Sequence, residues 1–344
     1  MWERAMSEDE RYENYESVPD GYDLLAAKAC ELDRFGIPPR PTEPHLLEFW
    51  KKLVSDPFCQ QRVEKDAHFV REWQTRPPDN LESSLNWSGA VVFPPRPKRM
   101  TMAVAGWTVP EVSHPSPPAL FTEDDAPKTL IWVGLDGHNG RLPKMSLPQI
   151  GTFHTPNGAA KDQHFAWFYW WYQATEQREI VRIKNLDIEP GDEILAGLWI
   201  MVCGDVSVFI KNQSTGEYRS TLMKRKDLPA DIEPLGSSAD WVVERPTAPK
   251  KDGKLFPLAD YGTVDFKYCM ALASDKPYYG PCMELAANKP GEPDRLMTLA
   301  DNGLMIKMRE AFADPYRTFY VSCAERRHHR DGSIGVKCTF HAPT

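Results

Sequence analysis

Three polar side chains stand inside or beside apolar runs, where an unpartnered polar group is costly. Asp136 ends the run Leu130-Ile131-Trp132-Val133-Gly134-Leu135-Asp136-Gly137. Read as a strand, alternation puts Trp132, Gly134 and Asp136 on one face and Ile131, Val133 and Leu135 on the other. Gln149 lies in Leu147-Pro148-Gln149-Ile150-Gly151-Thr152, and Glu244 closes Ala239-Asp240-Trp241-Val242-Val243-Glu244, on one face with Val242 and Asp240. A carboxylate beside valine and tryptophan is placed where loss of water raises its pKa, the setting a general acid and base requires. Each residue also has a plainer reading: Asp136-Gly137 as a turn, Gln149 as a structural hydrogen-bonding group, Glu244 before Arg245-Pro246 as a strand-end ion pair. Spacing alone does not bring Gln149 to Glu244.

The run Phe165-Ala166-Trp167-Phe168-Tyr169-Trp170-Trp171-Tyr172 carries large rings on both strand faces. Trp167, Tyr169 and Trp171 share one face; Phe168, Trp170 and Tyr172 share the other. One set serves a core, and the opposite set must be covered or line a cleft that takes an extended ligand.

The elements that position these residues are short β-rich runs, beginning near Asn86 and separated by Gly, Pro, Asn and Asp. Candidate strands are Gly89–Phe93, Met102–Val109, Leu130–Leu135, Phe165–Trp171, Ile180–Ile183, Glu193–Val202, Val206–Asn212, Ala239–Val243 and Val264–Tyr268. Many short strands with turn signals predict a sandwich or barrel. Residues 1–80 read instead as helix and coil. Leu24, Leu25, Lys28 and Leu32 have a helical repeat ending at Gly36, and a proline-rich linker follows. A second helix fits from Thr42, a plausible N-cap, with Leu46, Leu47, Phe49, Trp50, Leu53 and Val54 forming an apolar stripe that docks on the main domain. Beyond Ala271, the spacing of Leu296, Leu299, Leu304, Met308 and Phe312 suggests broken helices, and Thr318–Cys323 a last strand. The expected division is therefore an extension over 1–80, a sandwich over 84–275, and a C-terminal extension over 276–344 that packs on the sandwich or completes it.

With 344 residues the chain can bury a full core, and a net charge of −8 gives no basic field for nucleic acid or anionic membrane. The acidic N-terminus lacks the apolar stretch of a signal peptide, and no apolar run reaches membrane-helix length, so a cytoplasmic location is expected. The seven cysteines are odd in number and widely spaced, which fits free thiols. Cys323, His328, His329 and Cys338 lack a paired CxxC knuckle, so neither a metal nor a cofactor is expected. GxSxG, GxxxxGK[ST] and GxGxxG are all absent, which removes serine hydrolase, phosphate-loop and dinucleotide readings.

Six motifs occur in the order seen in the glutamic peptidases, the eqolisin or G1 family: Asn86-Trp87-Ser88-Gly89-Ala90, Trp107-Thr108-Val109-Pro110, Trp132-Val133-Gly134-Leu135-Asp136-Gly137, Pro148-Gln149-Ile150-Gly151-Thr152, Ala239-Asp240-Trp241-Val242-Val243-Glu244, and Leu258-Ala259-Asp260-Tyr261-Gly262-Thr263-Val264. The chain resembles that family over roughly residues 84–275. The resemblance implies an all-β fold, two seven-stranded antiparallel sheets in a concanavalin A-like, lectin/glucanase-type sandwich with one concave groove. It implies that Gln149 and Glu244 are a catalytic pair acting on water, with Trp132, Asp136, Trp167, Tyr169 and Trp171 in the groove and a peptide or protein as substrate. The sequence departs from the family where Ala166-Trp167-Phe168-Tyr169 replaces the usual Ala-Trp-Tyr-Glu, so a groove carboxylate is lost. It also carries the long N-terminal region, which resembles an uncharacterised branch of the same superfamily. Two other readings stand beside the hydrolase: a catalytically altered peptide-modifying enzyme, and a non-enzymatic sandwich that binds peptide or glycan. Glycoside hydrolysis needs two carboxylates, and the pair here offers one.

Overall fold

The computed structural model describes residues 12–66, 83–115, 126–138, 146–156, 163–172, 180–201, 204–230, 232–247, 255–275, 294–310 and 319–342. Its strands are β1 (Tyr12–Asn14), β2 (Cys59–Gln60), β3 (Lys65–Asp66), β4 (Ser83–Ser84), β5 (Trp87–Val92), β6 (Arg99–Thr108), β7 (Thr129–Leu135), β8 (Ser146–His154), β9 (His164–Tyr172), β10 (Val181–Ile183), β11 (Glu193–Ile200), β12 (Val206–Asn212), β13 (Glu217–Met223), β14 (Ala239–Glu244), β15 (Thr263–Ser274), β16 (Arg295–Thr298), β17 (Leu304–Arg309), β18 (Tyr320–His328) and β19 (Ile334–Phe340). The layer that carries the candidate residues runs β3-β10-β9-β8-β7-β14-β5-β17, with every pairing antiparallel. The second layer runs β13-β12-β11-β6-β15-β16, with β1 and β2 both on the free side of β13. Strands β17, β18, β19 and the first half of β15 join the layers along one side. Both layers thus hold more strands than the seven expected of each.

Alternation explains the packing. Ile131, Val133, Leu135, Ile150, Ala166, Phe168, Trp170, Trp241 and Val243 point inward from the first layer, against Ala103, Trp107, Ile194, Leu198, Val208 and Ile210 of the second. The large inward rings still need partners for their N–H groups. Trp241 Nε1 donates to Val104 O at 2.9 Å, and Trp107 Nε1 to Thr152 Oγ1 at 3.1 Å. Both bonds cross the sandwich.

The outer face of the second layer is covered by the N-terminal region. Helix α1 (Ala29–Arg34) is shorter than the repeat from Leu24 predicted, because Asp23 Oδ1 takes the amides of Leu25 and Ala26 and turns the chain there. Helix α2 (Pro44–Val54) starts with proline at its first position, after Glu43 and not Thr42. Its residues Leu46, Phe49, Trp50, Leu53 and Val54 pack with Val104, Leu195, Trp199, Phe209, Tyr218 and Leu272 of the sheet. The described N-terminal residues 12–66 therefore lie away from the face that carries Gln149 and Glu244, apart from the edge strand β3. No helix among the described residues is long and apolar enough to cross a membrane.

The predicted broken helices near the C-terminus are mostly strand. Leu296 belongs to β16, Leu304 and Met308 to β17, and only Leu299 to a single helical turn, Leu299–Asn302. Phe312 lies outside the described residues, as do Cys203 and Cys282. The predicted last strand is β18, which extends to His328 and pairs with a further strand, β19. Cys30, Cys59, Cys269, Cys323 and Cys338 are free thiols.

Candidate active site

The outer face of the first layer is a grid whose rows follow from the strand registers. One row is Tyr169, Gln149, Gly134, Asp240 and Val91; the next is Trp167, Gly151, Trp132, Val242 and Gly89; the third is Phe165, Phe153, Leu130, Glu244 and Trp87. Gln149 and Glu244 therefore share a face. They sit two strands apart and on opposite diagonals of Trp132. Glycine keeps the middle row passable: a Cβ on Gly151 would lie 2.0 Å from Ile131 O and 2.6 Å from Trp132 Cβ.

Glu244 is held at both oxygens. Trp132 Nε1 donates to Oε2 at 2.9 Å, and Asn86 Nδ2 donates to Oε1 at 3.2 Å. Trp132 is in turn set by an edge-to-face contact with Trp87, ring centroids 4.9 Å apart. Gln149, Glu244, Trp132 and Trp167 have 0% exposure and Tyr169 has 3%, so these side chains are closed to solvent. Trp171 lies farther along β9, opposite Leu147, and is only partly buried.

Asp136 bonds to the loop that precedes β14. It ends β7 with φ at 68°, and its carboxylate accepts from Leu235 N at 2.7 Å, Ser237 N at 2.6 Å and Ser237 Oγ at 2.9 Å. It fixes the loop that leads into β14. Burial raises its pKa, against the lowering effect of those donors. Asp240 is wholly buried on the same face as Glu244. Ser238 Oγ reaches its Oδ2 at 3.3 Å, while Oδ1 has no hydrogen-bond partner among the described residues. Burial, then the charge of Asp136, pushes its pKa well above the usual carboxylate range. Among the described residues, no three His, Cys, Asp or Glu side chains come together as metal ligands.

The residue reasoning from sequence passed over is Asn86. In the sequence it stands only as part of a motif, and nothing in its spacing indicates a contact with a side chain 158 positions later. The signal that could have found it is the pairing of β5 with β14, which puts Trp87 opposite Glu244 and so brings Asn86 to its edge.

The model of the Peptidase A4 family matches residues 85–285. Scytalido-glutamic peptidase, solved with a transition-state analogue inhibitor, is similar over 74% of this chain and 98% of its own, at 16% identity and a TM-score of 0.51. SCP-B, a member of the eqolisin family solved with the tripeptide Ala-Ile-His, covers the same shares at 16% identity and a TM-score of 0.50. Aspergilloglutamic peptidase from Aspergillus niger is similar over 62% of this chain and 99% of its own, at 17% identity and a TM-score of 0.41. Among curated proteins no match is found. At such identities the structural likeness speaks to the fold alone.

Proposed function

The chain belongs to the Peptidase A4 family, the eqolisin or glutamic peptidases, and from that premise we propose that it is a glutamic-peptidase-like hydrolase of peptide or amide bonds. The observation that carries the reading is the mounting of Glu244: a buried carboxylate with a donor on each oxygen, on one sheet face with the Gln149 amide. In the proposed reaction a water above Trp132 gives a proton to Glu244 as its oxygen bonds to the substrate carbonyl carbon. The carbonyl electron pair moves to oxygen, where the Gln149 N–H donates to it. Collapse breaks the C–N bond, and Glu244 returns the proton to the leaving amine. No cofactor enters this sequence of steps.

Glu244→Gln removes proton transfer and nearly keeps shape; Gln149→Ala removes the oxyanion donor. Each is expected to lower the rate by at least about 100-fold, with thermal melts recorded for both variants to separate lost chemistry from lost fold. The check is digestion of an unstructured peptide library from pH 3 to 8, with binding measured beside turnover. Burial of Gln149 and Glu244 beside the partly exposed Trp171 favours a second reading, a sandwich that holds peptide or glycan without cleaving it. Tight saturable binding by a wild-type protein that cleaves nothing would select that reading.

A further inference from the structure

The direction of the Asn86 amide follows from hydrogen-bond accounting. Ser84 Oγ accepts from two backbone amides, Asn86 N–H at 3.2 Å and Trp87 N–H at 3.1 Å. A hydroxyl has two lone pairs and one proton. With both lone pairs engaged, the proton goes to Asn86 Oδ1, 2.7 Å away. The amide oxygen is thereby used, and the NH2 group faces Glu244 Oε1. Trp132 Nε1, which can only donate, takes the other oxygen.

The mount is fastened from behind by the next residue. Arg245 donates to Leu85 O at 2.6 Å, Arg309 O at 3.0 Å and Glu310 Oε1 at 2.6 Å. This ties the Ser84–Asn86 segment and the end of β14 to the end of β17, which lies beyond the residues matched by the family model.

We propose that Asn86, locked in one orientation by Ser84, is a positioning residue that keeps Glu244 ionised and aimed although it is buried. This rests on the reading of Glu244 as the general base. Burial drives a carboxylate toward its neutral form, and neutral donors fixed on both oxygens oppose that drive. Neither donor can turn round to accept, so a proton arriving on Glu244 gains nothing from them.

Asn86→Asp tests the idea, because it sets an oxygen where the NH2 group stood and leaves Ser84 its acceptor. The midpoint of Glu244 ionisation is read without peptide, by infrared difference spectroscopy of each protein against its own Glu244→Gln counterpart. The midpoint is expected to rise by at least about one pH unit, the usual effect of a like charge at contact. The acid limb of kcat should move by the same amount, with KM little changed. Ser84→Ala frees the amide to turn and should give a smaller rise, which serves if Asn86→Asp does not fold. An unmoved midpoint in the folded variants overturns the inference, even where the wild type cleaves peptides. A raised midpoint upholds it, even where the wild type cleaves nothing and the hydrolase reading fails.

Discussion

Asp240 occupies a place that a charged carboxylate avoids. Val91 and Gly134 are its cross-strand neighbours, and Asp136 adds negative charge nearby. Its folded-state pKa stands well above the unfolded value of about 3.9. As pH rises past that unfolded value, the unfolded chain gives up the proton while the folded chain keeps it. The unfolded state then binds fewer protons, so stability declines with rising pH up to the folded pKa. Asp240→Asn keeps an acceptor for Ser238 and removes the titration. Its melting temperature should match or exceed the wild type near pH 7, with the difference shrinking toward pH 4. Melts across that range check this, and a variant less stable than wild type at pH 7 would refute it. The contrast with Glu244 is instructive. Both carboxyls are buried on one sheet face, and Glu244 has a donor on each oxygen where Asp240 has Ser238 on Oδ2.

At the scale of elements, α2 is the clearest case of a segment held by tertiary contact. Eleven residues are too few for a stable isolated helix in water. Its apolar stripe is buried on the sheet, Trp50 Nε1 donates to Pro38 O at 2.7 Å, and Lys211 Nζ donates to Ser55 O at 2.7 Å just past its end. Leu53 has 0% exposure, so Leu53→Ala should cost about 2–5 kcal/mol. Denaturant titration measures that loss, and hydrogen exchange should show the α2 amides protected in the wild type; exposed amides would mean that the helix does not dock. This stripe was legible in the sequence because helical spacing of Leu46, Phe49, Trp50 and Leu53 is a local signal. So were the strands around Trp132, Gln149, Trp167 and Glu244, whose period of two assigns inner and outer faces. Strands β16 and β17 were not, since Leu296, Leu299, Leu304 and Met308 fall at spacings that also suit a helix. Their state is decided by pairing with β15, β5 and β18, which no local pattern reveals. The same limit hid Asn86 and the role of Asp136. Asp136 stands at the strand end with a positive φ, and its bonds to the 235–237 loop are long-range contacts that strand alternation does not give.

For the whole molecule, one bond that joins the two layers continues into a polar chain that holds two histidines. Trp107 on β6 donates to Thr152 on β8, Thr152 Oγ1 lies 2.8 Å from His154 Nε2, and His154 Nδ1 lies 2.8 Å from His164 Nδ1 on β9. With both rings neutral the chain has a consistent direction: the Thr152 proton goes to His154 Nε2, and the Nδ1–H of His154 goes to His164 Nδ1. With both rings protonated, two N–H groups would face each other. Burial, then the neighbouring His164, lowers the pKa of His154 well below 6.5; burial lowers that of His164, against the opposing charge of Glu111. In the unfolded chain both titrate near 6.5, so below that pH the unfolded state binds more protons than the folded one. This contribution to stability is complete above about 6.5, is lost as pH falls through the folded-state values, and runs opposite to that of Asp240. His164→Gln leaves a carbonyl to accept from His154 and removes one titrating ring. Its melting temperature should fall less steeply than the wild type between pH 7 and pH 5, and parallel curves would show that the pair does not govern acid stability. The consequence for activity follows from the same sign. Acid weakens the folded state through the contact between His154 and His164, so turnover by this chain should reach its maximum nearer neutrality than pH 3, and a maximum at pH 3 with an intact fold would refute that expectation.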